Sequence, residues 1–155
     1  MGHFSMKTPG HFSTAINTSG TYLKSDQKLS PLQPTVALAG AIFNPPHFRG
    51  RAGAVVEGGA LIASAYVNYT GSLKDVRNDP TVHIGSMTTV DLNARYAFQS
   101  DSRLFSGIDV ALSVQNILDT HPSLIKTTQM YESPYDSTNF SAFGRVLSFT
   151  VSKKW

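Results

Sequence analysis

The carboxy-terminal stretch GRVLSFTVSKKW, Gly144 to Trp155, alternates between apolar and polar residues. Successive side chains of a β-strand project to opposite faces of a sheet, so an alternating stretch gathers its apolar residues on one face. That face is expected to carry Leu147, Phe149, Val151 and Trp155. Because the ring of Trp155 suits a membrane–water interface, the pattern predicts a transmembrane β-strand.

The same alternation recurs upstream, and helical periodicity does not occur. Strands are predicted at residues 11–23, 48–56, 61–70, 86–98, 107–116 and 144–155. Clusters of Gly, Pro, Asn, Asp and Ser separate them, and Glu57 to Gly59 is typical of a tight hairpin turn. The predicted fold is all-β, an antiparallel up-and-down meander of about six strands that forms a partial segment of a transmembrane β-barrel.

Charged residues within the strands favour a barrel over a soluble sheet. The polar phase holds Arg49, Arg51, Asp91, Arg95 and Asp109. A basic residue facing lipid near the bilayer midplane costs about 2–4 kcal/mol, so a lipid-facing wall is expected to exclude charge. Arg145 and Lys153 take the apolar phase only near strand ends, where a long side chain can reach the headgroups.

If the carboxy-terminus lies on the periplasmic side, the alternating direction of the strands assigns the aromatic residues and the connections to an outer and an inner end of the sheet. One predicted end of the sheet carries Tyr22, Phe48, Tyr69 and Phe143, and the other carries Phe12, Tyr96, Phe98 and Trp155. Two such girdles are typical of outer-membrane barrels. The connections 24–47, 72–85 and 117–142 are long and are expected outside the cell, whereas 57–60 and 99–106 are shorter. A half-buried soluble sheet would share the alternation and remains the alternative.

Composition and motifs exclude several other classes. Charged residues make up only 15% of the chain, and a net charge of +3 is scattered, which gives no support to nucleic-acid binding. No apolar run is long enough for a membrane-spanning helix, and cysteine is absent. The histidines lie far apart, with no phosphate loop or nucleophile elbow, so we expect no metal, no cofactor and no enzyme activity.

Several segments together resemble the closing strands of TonB-dependent outer-membrane receptors. They are FRGRAGAVVEGGALIASAYVNYTGS (48–72), SMTTVDLNARYAF (86–98), LSVQNILDTHP (112–122) and YDSTNFSAFGRVLSFTVSKKW (135–155). The resemblance implies active uptake of siderophore-type or other scarce ligands across the outer membrane of a Gram-negative bacterium. It also implies a plugged barrel of about 22 strands.

The resemblance does not extend to a plug domain, a TonB-contacting segment or an export signal. Residues 1–155 are therefore expected to be the carboxy-terminal portion of such a receptor, not competent for transport alone, because closed outer-membrane barrels begin at about eight strands. Its expected partners are outer-membrane lipid, the rest of the barrel and plug, and the assembly machinery, with TonB reached only through the missing part. An autonomous soluble all-β binding module is the alternative.

Two groups of residues are candidate sites. The resemblance implies that the terminal strand, with Leu147, Phe149, Val151 and Trp155, is an assembly signal, since an exposed strand can be recognised by edge pairing. Loop 117–142 contains the candidate ligand-facing residues Tyr131, Glu132, Tyr135 and Asp136. In the predicted sheet, Asp91 and Arg95 lie too far apart along one strand to touch, so a pairing would need partners on neighbouring strands. We expect them to take part in a salt-bridge network of the barrel lumen or in contact with a plug, and not in catalysis.

Overall fold

A computed structural model describes residues 2–8, 12–99, 102, 105–127 and 130–154. Its strands are β1 (Gly2–Thr8), β2 (Phe12–Tyr22), β3 (Asp26–Gln27), β4 (Val36–Ala37), β5 (Phe48–Gly58), β6 (Leu61–Thr70), β7 (Leu73–Asp75), β8 (Val82–Ile84), β9 (Met87–Ala97), β10 (Ile108–Gln115) and β11 (Val146–Lys153). Among the described residues, no helix has the length and apolar character needed to cross a membrane.

Seven of these strands form one antiparallel sheet in the order β1-β2-β5-β6-β9-β10-β11. Each strand pairs with the next sheet strand along the chain, so the sheet is a meander. In the described pairings β1 and β11 form the two edges, and the sheet is not closed between them. The predicted all-β antiparallel meander is confirmed.

The register aligns the apolar residues of six strands of this sheet, β2, β5, β6, β9, β10 and β11. One continuous row across the sheet consists of Ile16, Ala54, Ala65, Leu92, Val114 and Leu147. If one strand shifted by one residue against its neighbour, all of its apolar side chains would move to the opposite face of the sheet. The common apolar face therefore fixes how these strands are aligned.

The six predicted strands are all present, with their limits shifted by at most a few residues, and 61–70 is matched at both ends. The prediction missed β1, which adds a seventh strand to the sheet. It also missed the small sheets β3-β4 and β7-β8, which lie inside segments predicted as loops. His11, the predicted start of the first strand, lies outside the described residues.

Connections at the two ends of the sheet differ in length, as predicted. β5 and β6 are joined by Gly59 and Ala60, and Gly59 has a φ of 57°, a conformation that glycine adopts without the penalty of a Cβ. The segments between β2 and β5, between β6 and β9, and between β10 and β11 are long and emerge at the opposite end. Together with Met87 at the start of β9 they form the buried apolar cluster, whose other members are Ile42, Leu73, Ile84, Ile125 and Phe140.

Candidate functional site

The sheet has one apolar face, formed by the even-numbered residues of β2, β5, β9 and β10 and the odd-numbered residues of β6 and β11. Its large side chains are open to the surroundings: Leu112, Leu147 and Phe149 are 45%, 67% and 68% exposed. Small alanines at its centre leave a shallow groove of about 420 Å³ with an apolar lining. An uncovered apolar surface of this extent indicates contact with another apolar phase or partner.

Aromatic side chains lie at both ends of the apolar face. At the end with the long connections, the ring centroids of Phe48 and Tyr69 are 6.0 Å apart. At the other end, Tyr96 and Phe98 meet edge to face with centroids 4.9 Å apart. Tyr22, Phe143 and Phe12 are also exposed at the predicted ends, and Trp155 lies outside the described residues.

The opposite, polar face carries an ion pair between adjacent strands. Arg95 of β9 donates through Nε to both carboxylate oxygens of Asp109 on β10, at 2.9 and 2.8 Å. The partner of Arg95 thus lies on a neighbouring strand, as a pairing of this residue requires. Next to it, Ser113 donates to Asn93 at 2.7 Å, and Asn93 is 3.4 Å from the hydroxyl of Ser64.

A second polar group surrounds Asp91 nearer the long connections. Its carboxylate accepts a hydrogen bond from the Asn68 amide at 2.8 Å and from the backbone N–H of Asn116 at 3.0 Å.

A cation–π contact joins β5 and β6 on the polar face. Arg51 lies over the ring of Tyr66, with its guanidinium carbon 4.2 Å from the ring centroid. A Cβ at Gly53 would overlap that ring, so the glycine allows the ring its close approach to β5. The polar face is therefore a hydrogen-bonded surface with cationic and anionic groups in contact.

The segment that follows β10 closes on itself through Asn116 and Asp119. Asn116 has a φ of 49°, and its side chain both donates to the Thr120 carbonyl and accepts from the Thr120 N–H, at 2.8 and 3.0 Å. Asp119 accepts a hydrogen bond from the backbone N–H of Arg145 at 2.8 Å, which joins the start of this connection to its end. These contacts give a structural role to the Gln-Asn-Ile-Leu-Asp part of the sequence.

The three long connections pack together into one unit, which we call the loop assembly (residues 23–47, 71–86 and 116–145). Its centre is the buried apolar cluster described above, with Tyr135 packed against it. Backbone hydrogen bonds join the first two connections, from Lys74 N–H to Gly40 O at 2.8 Å and from Ile42 N–H to Lys74 O at 2.9 Å. The loops are thus held by their own core.

Asp136 is the polar centre of the loop assembly and is fully buried. Its carboxylate accepts hydrogen bonds from the backbone N–H of Phe43 at 2.9 Å and from the backbone N–H of Thr138 at 3.0 Å. The amide of Asn139 donates to the same carboxylate at 2.9 Å, and its side-chain oxygen accepts from Arg49 at 2.6 Å. Asp136 therefore connects the third long connection to the first, and Asn139 connects it to the sheet.

Asp75 forms a second buried carboxylate site. Its side chain is 1% exposed and accepts a two-pronged pair of hydrogen bonds from Arg77, both at 2.9 Å. The Arg77 guanidinium also lies 3.7 Å from the carboxylate of Glu132 and 5.3 Å from the Phe43 ring centroid. Hydrogen bonding from Arg77 outweighs burial and holds the pKa of the Asp75 carboxyl below its usual value of 3.8.

Acid is expected to weaken the loop assembly through Asp75. Because its folded-state pKa is lowered, the ionised carboxylate stabilises the folded form fully above its unfolded pKa of about 3.9, and this contribution is lost as the pH falls through the lower folded-state pKa. The urea midpoint of the near-ultraviolet tyrosine signal, measured between about pH 6 and pH 2.5, should fall more steeply in the native chain than in Asp75→Asn. Equal declines in both proteins would contradict this role.

The predicted loop residues differ in their surroundings. Tyr131 is 87% exposed, and Glu132 faces Arg77. Tyr135 packs on the loop core, while Asp136 is enclosed and hydrogen-bonded to the chain itself. Ligand contact by these residues stays a prediction, and of the four Tyr131 has the greatest access to a ligand.

The predicted assembly residues Leu147, Phe149 and Val151 lie together on the apolar face of β11, an edge strand, and all three are more than half exposed. Trp155 falls outside the described residues. The side chains that sequence reasoning missed are those that bind the loops together, above all Arg77 and Asn139. Asn139 donates to the carbonyl of Asn44 in the first connection, and Arg77 faces Glu132 in the third as well as pairing with the nearby Asp75. Local pattern carries no signal for contacts between connections.

Among the described residues, no group of three His, Asp or Glu side chains is placed to hold a metal ion. The chain matches no protein-family model, and neither a curated protein sequence nor a solved structure matches it. Inference of function therefore depends on the two faces of the sheet, its edges and the loop assembly.

Proposed function

We propose that this chain forms part of the wall of an outer-membrane β-barrel in a Gram-negative bacterium, in a receptor of the TonB-dependent type that takes up siderophore-type or other scarce ligands. The observation that carries the proposal is the continuous, exposed apolar face opposite a hydrogen-bonded polar face. A barrel wall needs this division, because its outer face meets hydrocarbon and its inner face meets water or a plug.

The open edges support a segment of a larger barrel. In hydrocarbon each unsatisfied backbone N–H or C=O costs several kcal/mol, so a membrane sheet must be closed. β1 and β11 each pair on one side only within the described sheet. Further strands supplied by the remainder of the barrel would satisfy both edges, and an inner plug would meet the polar face.

The receptor part of the proposal rests on the motif resemblance together with the loop assembly. The long connections share one end of the sheet, where a cell-surface ligand would arrive, and Tyr131 is exposed there. The apolar groove would contact lipid acyl chains. The aromatic residues at the two ends of the sheet would lie at the level of the lipid headgroups. Uptake would then depend on the complete receptor, with this segment as wall and surface loops.

Labelling of single cysteines tests the lipid-facing assignment directly, because the chain has no cysteine of its own. Ala65→Cys and Ser64→Cys place the same fluorophore on neighbouring residues that face opposite sides of β6. In vesicles containing lipids brominated near the middle of the acyl chain, we expect strong quenching at position 65 and little at position 64.

If the chain is instead a soluble binding module, a different result is expected for Ala65→Cys and Ser64→Cys. In that case the protein remains outside the vesicles, and brominated lipid quenches neither label. Equal quenching at both positions would also contradict the proposal, since a wall has only one lipid-facing side.

A further inference from the structure

A pocket of about 210 Å³ lies in the loop assembly, on the outward side of the β7-β8 hairpin. Its polar lining consists of His47, Ser72, Lys74 and His83, and small residues of segment 37–41 form the facing wall. The neighbours of Lys74 along β7, Leu73 and Asp75, are buried on the other side of the hairpin. The pocket is therefore separate from the buried carboxylates.

The walls of the pocket are held in place by the backbone. Lys74 is hydrogen-bonded to segment 37–41 through its N–H, and its carbonyl accepts from Ile42. On the hairpin side, Lys74 stands directly opposite His83 in the register of β7 and β8. Two basic side chains are thus presented side by side from a paired, anchored element.

His47 completes the lining in a defined tautomer. Its Nδ1 lies 3.0 Å from the carbonyl oxygen of Leu23, and a carbonyl only accepts, so Nδ1 carries the proton. The ring packs against Gly40, where a Cβ would overlap it. Stacking on Tyr22, with centroids 6.1 Å apart, holds the ring on its other side.

The described residues that line the pocket give it a basic lining without an acidic side chain, since none of them carries a carboxylate. Lys74 forms no ion pair with any described residue, and Asp75 next to it is engaged by Arg77. An ammonium group, a hydroxyl and imidazole groups therefore surround a space without a counter-ion.

We propose that this pocket binds a phosphate group. Lys74, Ser72 and His83 can each supply a single donor, which suits a tetrahedral oxyanion, while the donor of His47 is engaged by the Leu23 carbonyl. Planar carboxylates are best matched by the fork of an arginine, and no arginine is among the described residues that line the pocket. Ligand pockets usually measure about 300–1,000 Å³, so the smaller volume fits the phosphate group and not a whole large ligand. The phosphate can be free in solution or belong to a lipid headgroup.

The test uses the full chain in phosphate-free, non-ionic micelles, with inorganic phosphate as the probe and sodium chloride matching the ionic strength. Histidine ring signals are followed by NMR, in a sample whose Leu73 and Ile84 amides are protected from exchange. We expect saturable shifts at His83 and His47 and none at His121, which lies in another connection. Acetate should bind at least about tenfold more weakly than phosphate.

Substitutions assign the binding to the pocket. Lys74→Gln should weaken phosphate binding about tenfold or more, since it removes the charged donor, and Lys126→Gln, in another exposed loop, should leave it unchanged. Micelles containing phosphatidylglycerol distinguish the two sources: competition with inorganic phosphate indicates a headgroup site, and absence of competition indicates a site for free phosphate. Failure of both probes to shift His83, or native affinity in Lys74→Gln, would overturn the proposal.

Discussion

If the chain is part of the proposed receptor, removal of Phe149 to Trp155 is expected to abolish insertion of that receptor into the outer membrane. β11 pairs with β10 from Val146 to Lys153, so the truncation strips the partner from most of β10 and leaves its backbone groups without hydrogen bonds. It also removes the apolar end that we propose as the assembly signal. The amount of heat-modifiable, protease-resistant protein in purified outer membranes measures the effect, and we expect a decrease of at least about tenfold.

Two triple substitutions separate the assembly signal from the pairing. Serine at positions 147, 149 and 151 removes the apolar side chains, whereas alanine at Ser148, Thr150 and Ser152 alters only the polar phase of the same strand. We expect the first to block insertion and the second to permit it. Native levels of the truncated receptor in the outer membrane, or equal effects of the two triple variants, would show that β11 is not recognised in this way.

An arginine at position 65 is expected to lower the free energy of unfolding in a bilayer by about 2–4 kcal/mol, because it places a charge in hydrocarbon. Ala65 lies in the middle of β6 on the apolar face, opposite Ala54 and Leu92. The alanine makes no polar contact, so the substitution removes little and adds the cost of the charge. Urea unfolding of the receptor in vesicles, followed by an electrophoretic shift, gives the difference.

Ser64→Arg is the matched control, since it adds the same side chain one residue away on the polar face. The side chain of Ser64 makes one hydrogen bond to a described residue, the long contact with Asn93 at 3.4 Å. We expect a change within about 1 kcal/mol, the range of a single surface interaction. A cost for Ser64→Arg equal to that for Ala65→Arg would contradict the assignment of the two faces.

Local pattern is sufficient for six strands of the sheet and insufficient for the edge strand β1. β6 alternates over ten residues and was predicted at both limits, because the alternation and the flanking turn agree. β1 spans seven residues with apolar side chains only at Phe4 and Met6, too few for a period to stand out. β3 and β7, with two and three residues, are too short for an alternating pattern to be recognised.

The loop assembly was beyond prediction for a different reason. Asn139 donates to the carbonyl of Asn44, which lies 95 positions earlier, and Asp136 accepts from Phe43 at a separation of 93. No periodicity relates such positions. An exposed carboxylate and a buried one look the same in sequence, so the sequence does not indicate that Asp136 is buried and hydrogen-bonded within the chain.

The common core of the loop assembly also limits how the surface of this protein can diversify. Ile42, Leu73 and Ile125 come from three different connections and shelter one another. Replacing one connection alone would expose the apolar residues that the other two connections contribute to this core. New surface specificity should therefore be acquired by matched changes in all three connections, or by changes confined to outward tips such as Tyr131.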